Sequence, residues 1–132
     1  MAKKGYVGWL LPQSERDKLL KIVEPKYPNV VAHHCTLEFG VDETVELPEE
    51  KSATVVGVAD DNNGVQALVL SIGGVTTRPD GSTYHITRSL NPGRKPVESN
   101  KVIEKFGWSP LSPFQSINLI PQFFPLVKPK TG

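Results

Sequence analysis

Short apolar segments separated by turn residues make up most of the chain and predict a sheet-rich fold. Runs of apolar and aromatic residues ended by Pro, Gly or Asn predict strands at 5–11, 30–39, 52–59, 65–72, 82–90 and 116–120. Apolar residues at helical spacing predict helices at 15–23, after Ser14 as N-cap, and at 96–106, before Gly107. This order, with a hairpin signal at 60–64, predicts an α+β fold with mostly antiparallel pairing.

The segments between these elements are polar or rich in proline. The acidic stretch 41–51 predicts a solvated connection, and the Ser/Pro-rich stretch 108–113 predicts a loop. The prolines after position 120 predict that the tail continues as an edge strand or as coil.

Two of the predicted strands carry the same pattern, His-x-Thr, at 34–36 and 85–87. Because side chains alternate between the faces of a strand, the first and third residues of each pattern share a face. These residues are His34, Thr36, His85 and Thr87. The intervening Cys35 and Ile86 point the opposite way, and we expect them to belong to the core. An imidazole that moves a proton, beside a hydroxyl that binds a phosphoryl oxygen, suits a phosphodiester.

A third histidine, His33, directly precedes the first pattern. We expect it on the opposite strand face, half-buried and bonded to a backbone carbonyl, because adjacent strand residues diverge. The same divergence keeps His33 and His34 from chelating one ion, and the Cys-x-x-Cys and Glu-x-x-His spacings of common metal sites are absent. The sequence therefore predicts no metal and no cofactor.

Composition narrows the class of protein. The 132 residues predict a single domain over 1–132, and 15 basic against 14 acidic residues argue against a protein that coats long nucleic acid. One cysteine allows no internal disulfide. No apolar stretch approaches the ~20 residues of a membrane span, and no signal-peptide core follows the N-terminus. We expect a cytoplasmic protein without a membrane partner; the oligomeric state stays open.

The segments His34-Cys35-Thr36-Leu37 and His85-Ile86-Thr87 resemble the two signature motifs of the 2H phosphoesterase superfamily. That family includes LigT-like RNA phosphodiesterases, the cyclic phosphodiesterase domains of tRNA ligases and phage anti-CBASS nucleases. The resemblance implies a compact bilobal fold with two outer helices and a central cleft. Arg88-Ser89 departs from the family pattern, which usually places an apolar residue directly after the second motif.

The resemblance also implies a function. One histidine would act as general base and the other as general acid, while the threonines hold the non-bridging oxygens, without a metal ion. The substrate class it implies is a cyclic nucleotide or cyclic oligonucleotide signal, cut at a 3′-5′ or 2′-5′ linkage, with phage counter-defence as one role. The catalytic set is then His34, Thr36, His85 and Thr87.

Four further residues are predicted to contact the substrate. Trp108 in the Ser/Pro segment and Tyr84 on the second motif strand are candidates for stacking a base. Arg88 belongs to a basic group around the second motif, with Arg78, Arg94 and Lys95, that can meet phosphates. Glu38 shares the predicted face of Thr36 and can orient a substrate hydroxyl.

Three alternatives remain open at the level of sequence. The chain can instead be an RNA 2′,3′-cyclic phosphodiesterase acting on RNA termini, a nucleotide-binding module without turnover, or an interaction domain with incidental His-x-Thr patterns. One spatial test separates the enzyme from the last of these. In an enzyme, His34 and His85 face a common cleft.

Overall fold

The computed structural model describes residues 4–126, without the side chains of Leu20 and Ile22. Its elements in chain order are β1 (Lys4–Leu10), α1 (Gln13–Ile22), β2 (Asn29–Val30), β3 (His34–Asp42), β4 (Ser52–Asp60), β5 (Val65–Ser71), β6 (His85–Leu90), α2 (Glu98–Phe106), β7 (Ser109–Asn118) and β8 (Ile120–Pro125). Neither helix has the length and apolar character needed to cross a membrane.

The strands form one antiparallel sheet that curls into a half-barrel, in the order β7-β4-β5-β6-β3-β1-β8, with β2 paired to β6. The predicted α+β class with mostly antiparallel pairing is therefore confirmed. The predicted loop at 108–113 is wrong, because Pro110 and Pro113 lie inside β7. Strand β7 is an edge of the sheet, where a proline need not donate to a neighbouring strand. Strand β8 forms the other edge.

The sheet has a packed helix on each face. Leu68 and Leu70 of β5 belong to the same buried cluster as Leu19 of α1. The alternate residues of β5, together with Val102 and Ile103 of α2, form a second cluster on the other face. Because β5 is buried on both faces, its sequence is a nearly continuous apolar run and does not alternate between apolar and polar residues.

The two halves of the sheet meet at one point. Strands β3 and β6 are joined through a single pair of Cα partners, Cys35 and Ile86, which are the central residues of the two His-x-Thr patterns. Both side chains are fully buried, as expected for core positions. Burial raises the pKa of the Cys35 thiol to about 12, so this side chain is a core thiol and not a nucleophile.

Candidate active site

The joint between β3 and β6 places the two His-x-Thr patterns side by side. Since their central residues are direct antiparallel partners, His34 lies beside Thr87 and Thr36 lies beside His85. All four side chains are on the face opposite the central residues. They line one cavity of about 300 Å³. Two strands far apart in the chain thus present both imidazoles and both threonines to one space.

His33 does not occupy the half-buried position expected of it. The last β2–β6 pair is Val30 with Ser89, and the pair at the joint is Cys35 with Ile86. Between these two pairs, four residues (31–34) on one side face only two residues (87–88) of β6. This bulge puts Ala32 in the left-handed region at φ 44° and ends the strand alternation before His34. As a result His33 is exposed, and its Nδ1 lies 2.9 Å from Nδ1 of His34.

A second bulge changes which residues share the cavity face. Strand β3 has one extra residue, Leu37, relative to β1, so the alternation reverses beyond it. Phe39 therefore lines the cavity, and Glu38, predicted to orient the substrate, is exposed outside it. Phe39 pairs with Tyr6 of β1, and their rings stack with centroids 5.6 Å apart and planes 8° apart. We call Tyr6 and Phe39 the aromatic platform.

Tyr84 and Trp108, which were predicted to stack on a base, also lie outside this cavity. Tyr84 is only 7% exposed, and its ring meets Trp9 edge-on in the core at 5.8 Å between centroids. Trp108 packs against the backbone of Gly57, where a Cβ would come within 2.1 Å of the ring. It lines a neighbouring cavity instead. An aromatic residue on a strand is more often part of the core than of a ligand site.

The arginine at the cavity is Arg78 and not the predicted Arg88. Arg88 sits at a bulge of β6, is fully buried, and donates from Nε and Nη2 to the carbonyl of Val23 at 3.1 and 2.9 Å. Arg78 lines the cavity, held by a two-point bond to the Asp80 carboxylate and by a bond from Nη1 to the Thr36 carbonyl at 3.3 Å. Three of its five N–H donors are used in this way, which leaves two for a phosphate.

Both cavity histidines favour the neutral form. Burial, then the charge of His33 and then that of His85, lowers the pKa of His34 to about 4. Burial also lowers the pKa of His85; its bond to the Thr83 carbonyl acts in the opposite direction, and the Arg78 charge lowers the pKa further. Because Nδ1 of His85 donates to Thr83 at 2.9 Å, its Nε2 is left for the cavity. That carbonyl would stabilise His85 as a cation.

The two threonines differ in how free their hydroxyls are. Within residues 4–126, the Thr36 hydroxyl has no hydrogen-bond partner and can donate to a ligand. The Thr87 hydroxyl is 2.8 Å from the hydroxyl of buried Ser99 and donates to the carbonyl of Pro96 at 3.2 Å. Thr87 can therefore hold a phosphoryl oxygen only after turning away from Pro96, whereas Thr36 is available as it stands.

The start of α2 supplies a wall of the cavity that sequence reasoning missed. Pro96, Val97 and Asn100 line the space, so the positive end of the helix dipole lies beside it. No sequence pattern pointed to these residues, since their position depends on how α2 packs on the sheet.

Comparisons with protein-family models, curated proteins and solved structures found no match. Among residues 4–126 there is no group of three His, Cys, Asp or Glu side chains that can hold a metal ion. The cavity is therefore described by its own chemistry: two imidazoles, a free hydroxyl, a held arginine and a pair of stacked rings.

Proposed function

We propose that this protein is a metal-independent phosphodiesterase that cuts a 3′-5′ or 2′-5′ linkage in a cyclic nucleotide or cyclic oligonucleotide. The observation that carries the proposal is the convergence of His34, Thr36, His85 and Thr87 on one cavity that also holds Arg78. Two histidines supply a base and an acid, and a cation with hydroxyl donors suits a phosphoryl group. We infer a 2H phosphoesterase fold, because two sheet halves meet where the two motifs lie.

The surroundings of the two histidines favour different roles. His34, with a pKa of about 4, is neutral near pH 7, and we assign it as the general base. In the attack step its Nε2 takes a proton from water, and the water oxygen bonds to phosphorus. His85 acts in its protonated form, which the Thr83 carbonyl supports, and gives the Nε2 proton to the leaving oxygen as the P–O ester bond breaks. Thr36 and Arg78 hold the non-bridging oxygens.

The aromatic platform favours a nucleotide over a simple phosphodiester. Phe39 lines the cavity and is 64% exposed, so its ring is accessible to a base. Its partner Tyr6 stacks on the buried ring of Phe124 at 4.8 Å, so the platform is fixed from beneath. A base stacked on Phe39 would place its phosphate near the histidines.

The test uses pure protein with a chelator present and a panel of cyclic mononucleotides, cyclic dinucleotides and RNA ending in a 2′,3′-cyclic phosphate. Turnover of a cyclic nucleotide is expected, and His34→Ala and His85→Ala should each lower the rate about 100- to 10,000-fold while the fold is retained by circular dichroism. Cleavage of the RNA end alone would assign the RNA alternative. Binding without product would assign the nucleotide-binding module.

Arginine substitutions give a matched control. Arg78 and Arg94 both lie next to a turn near the second motif and both pair with carboxylates, but only Arg78 lines the cavity. Arg78→Gln should raise KM at least tenfold, since a charge-assisted contact to phosphate contributes about 1.5–3 kcal/mol. Arg94→Gln should leave KM unchanged. Equal effects of the two substitutions would contradict the assignment of this cavity.

A further inference from the structure

A second cavity of about 490 Å³ adjoins the candidate active site. It lies between one face of α2 and the turn that precedes β6, and we call it the Trp108 groove. Its lining residues are Asp80, Gly81, Ser82, Thr83, Asn100, Ile103, Glu104, Gly107 and Trp108. Asn100 lines both cavities, and the Thr83 carbonyl accepts the hydrogen bond that orients His85, so the two spaces adjoin each other at these residues.

The indole of Trp108 is held in place while part of it stays open. One part of the ring rests on the backbone of Gly57, where any larger residue would collide with it. The side chain is nevertheless 39% exposed and forms part of the groove wall. A fixed and partly open aromatic ring is a stacking surface for a base.

The polar groups of the groove accept hydrogen bonds. Oδ1 of Asn100 is buried and has no partner among residues 4–126. The Glu104 carboxylate, which is exposed, has no hydrogen bond or ion pair within the same range. The Asp80 carboxylate is already bound by Arg78 and Ser82. The Glu104 carboxylate and the unpartnered Asn100 oxygen are thus two acceptors in the groove wall, which repel a phosphate and attract N–H donors.

We propose that the Trp108 groove binds a guanine base, which would be the second base of a two-base substrate whose phosphate lies between His34 and His85. Guanine presents adjacent N–H donors on its Watson–Crick edge, which match Glu104 and Asn100, while its ring stacks on Trp108. The first cavity, at about 300 Å³, is at the lower limit for a small-molecule site, so a two-base ligand needs the additional space. The two-base part rests on the proposed function; the guanine site itself does not.

Tryptophan fluorescence tests the site without turnover. Of the two tryptophans, Trp9 is 1% exposed and donates to the Glu50 carbonyl, so a ligand can quench only Trp108. GMP should quench the emission, AMP at equal concentration should quench it much less, and Trp108→Phe should abolish the response. Glu104→Gln, on the exposed helix surface, should weaken GMP binding about fivefold or more. Equal quenching by AMP and GMP, no quenching, or no effect of Glu104→Gln would each overturn the guanine site.

Kinetics test the two-base part. With a cyclic dinucleotide of guanine, Trp108→Leu should raise KM by about five- to 150-fold and leave kcat unchanged. With 2′,3′-cyclic AMP, a single nucleotide whose adenine the groove does not select, the same variant should match the wild type. An unchanged KM for the dinucleotide would overturn the two-base substrate. Absence of turnover with every substrate would remove the proposed function, while GMP quenching would still decide the guanine site.

Discussion

Acidification should weaken the fold through His34, whether or not the protein is an enzyme. The pKa of His34 is about 4 in the folded chain and 6.5 in the unfolded chain, so the unfolded state binds the proton first. Above pH 6.5, His34 is unprotonated in both the folded and the unfolded chain, so it does not lower the free energy of unfolding. As the pH falls from 6.5 to 4, stability is lost, and below pH 4 the full cost of roughly 3 kcal/mol remains.

At pH 5 the same difference in pKa predicts a loss of about 2 kcal/mol in the free energy of unfolding. Because the His34 ring is partly exposed and water screens its charge, we reduce this loss to about 1 kcal/mol. The assay is urea unfolding of the wild type and His34→Gln at pH 7 and pH 5, followed by tryptophan fluorescence. Other acid effects are common to both proteins, so they largely cancel in the difference. The wild type should lose about 1 kcal/mol more than the variant. A difference that stays within about 0.3 kcal/mol between the two pH values would refute the buried, neutral His34.

Four substitutions separate the roles assigned to the neighbouring side chains. Thr36→Val should lower kcat/KM about tenfold or more with little change in stability, whereas Thr87→Val should cost about 1–3 kcal/mol in urea unfolding, because it leaves a buried hydroxyl unpaired. Arg88→Met should leave kcat/KM within about twofold of wild type; a loss above tenfold would return this arginine to the site. Arg78→Gln should move the alkaline limb of the kcat/KM profile to higher pH, because removing its charge raises the pKa of His85. An alkaline limb that stays at the same pH would contradict the effect of the Arg78 charge on the pKa of His85.

The alternation of side chains along a strand was enough to predict which motif residues share a face. His34 with Thr36, and His85 with Thr87, lie on the cavity face, while Cys35 is core. These predictions needed only a regular strand across three residues. The element order likewise followed from local patterns, so the α+β class could be predicted from apolar spacing and turn residues.

Predictions that extended the same alternation past a bulge were wrong. His33 lies within the bulge of residues 31–34, and Glu38 lies after the extra residue Leu37. A bulge is fixed by pairing between two strands, and one strand's sequence carries little sign of it. The prediction for Arg88 was wrong for a different reason: it was predicted to meet a phosphate because it is close to the second motif in the sequence, whereas the structure buries it on the carbonyl of Val23.

The position of the site on the joint of the sheet explains why its geometry does not depend on loops. The only Cα pair between β3 and β6 is the buried pair whose neighbours are the two histidines and two threonines. A shift of either strand by one residue would turn the histidine and the threonine of that strand into the core, at the cost of burying polar groups without partners. The core packing of Cys35 against Ile86 therefore selects one register, and that register alone brings His34 and His85 to a shared cavity. The two halves of the sheet can differ in sequence, as they do here, and still place one His-x-Thr pattern on each side of the joint.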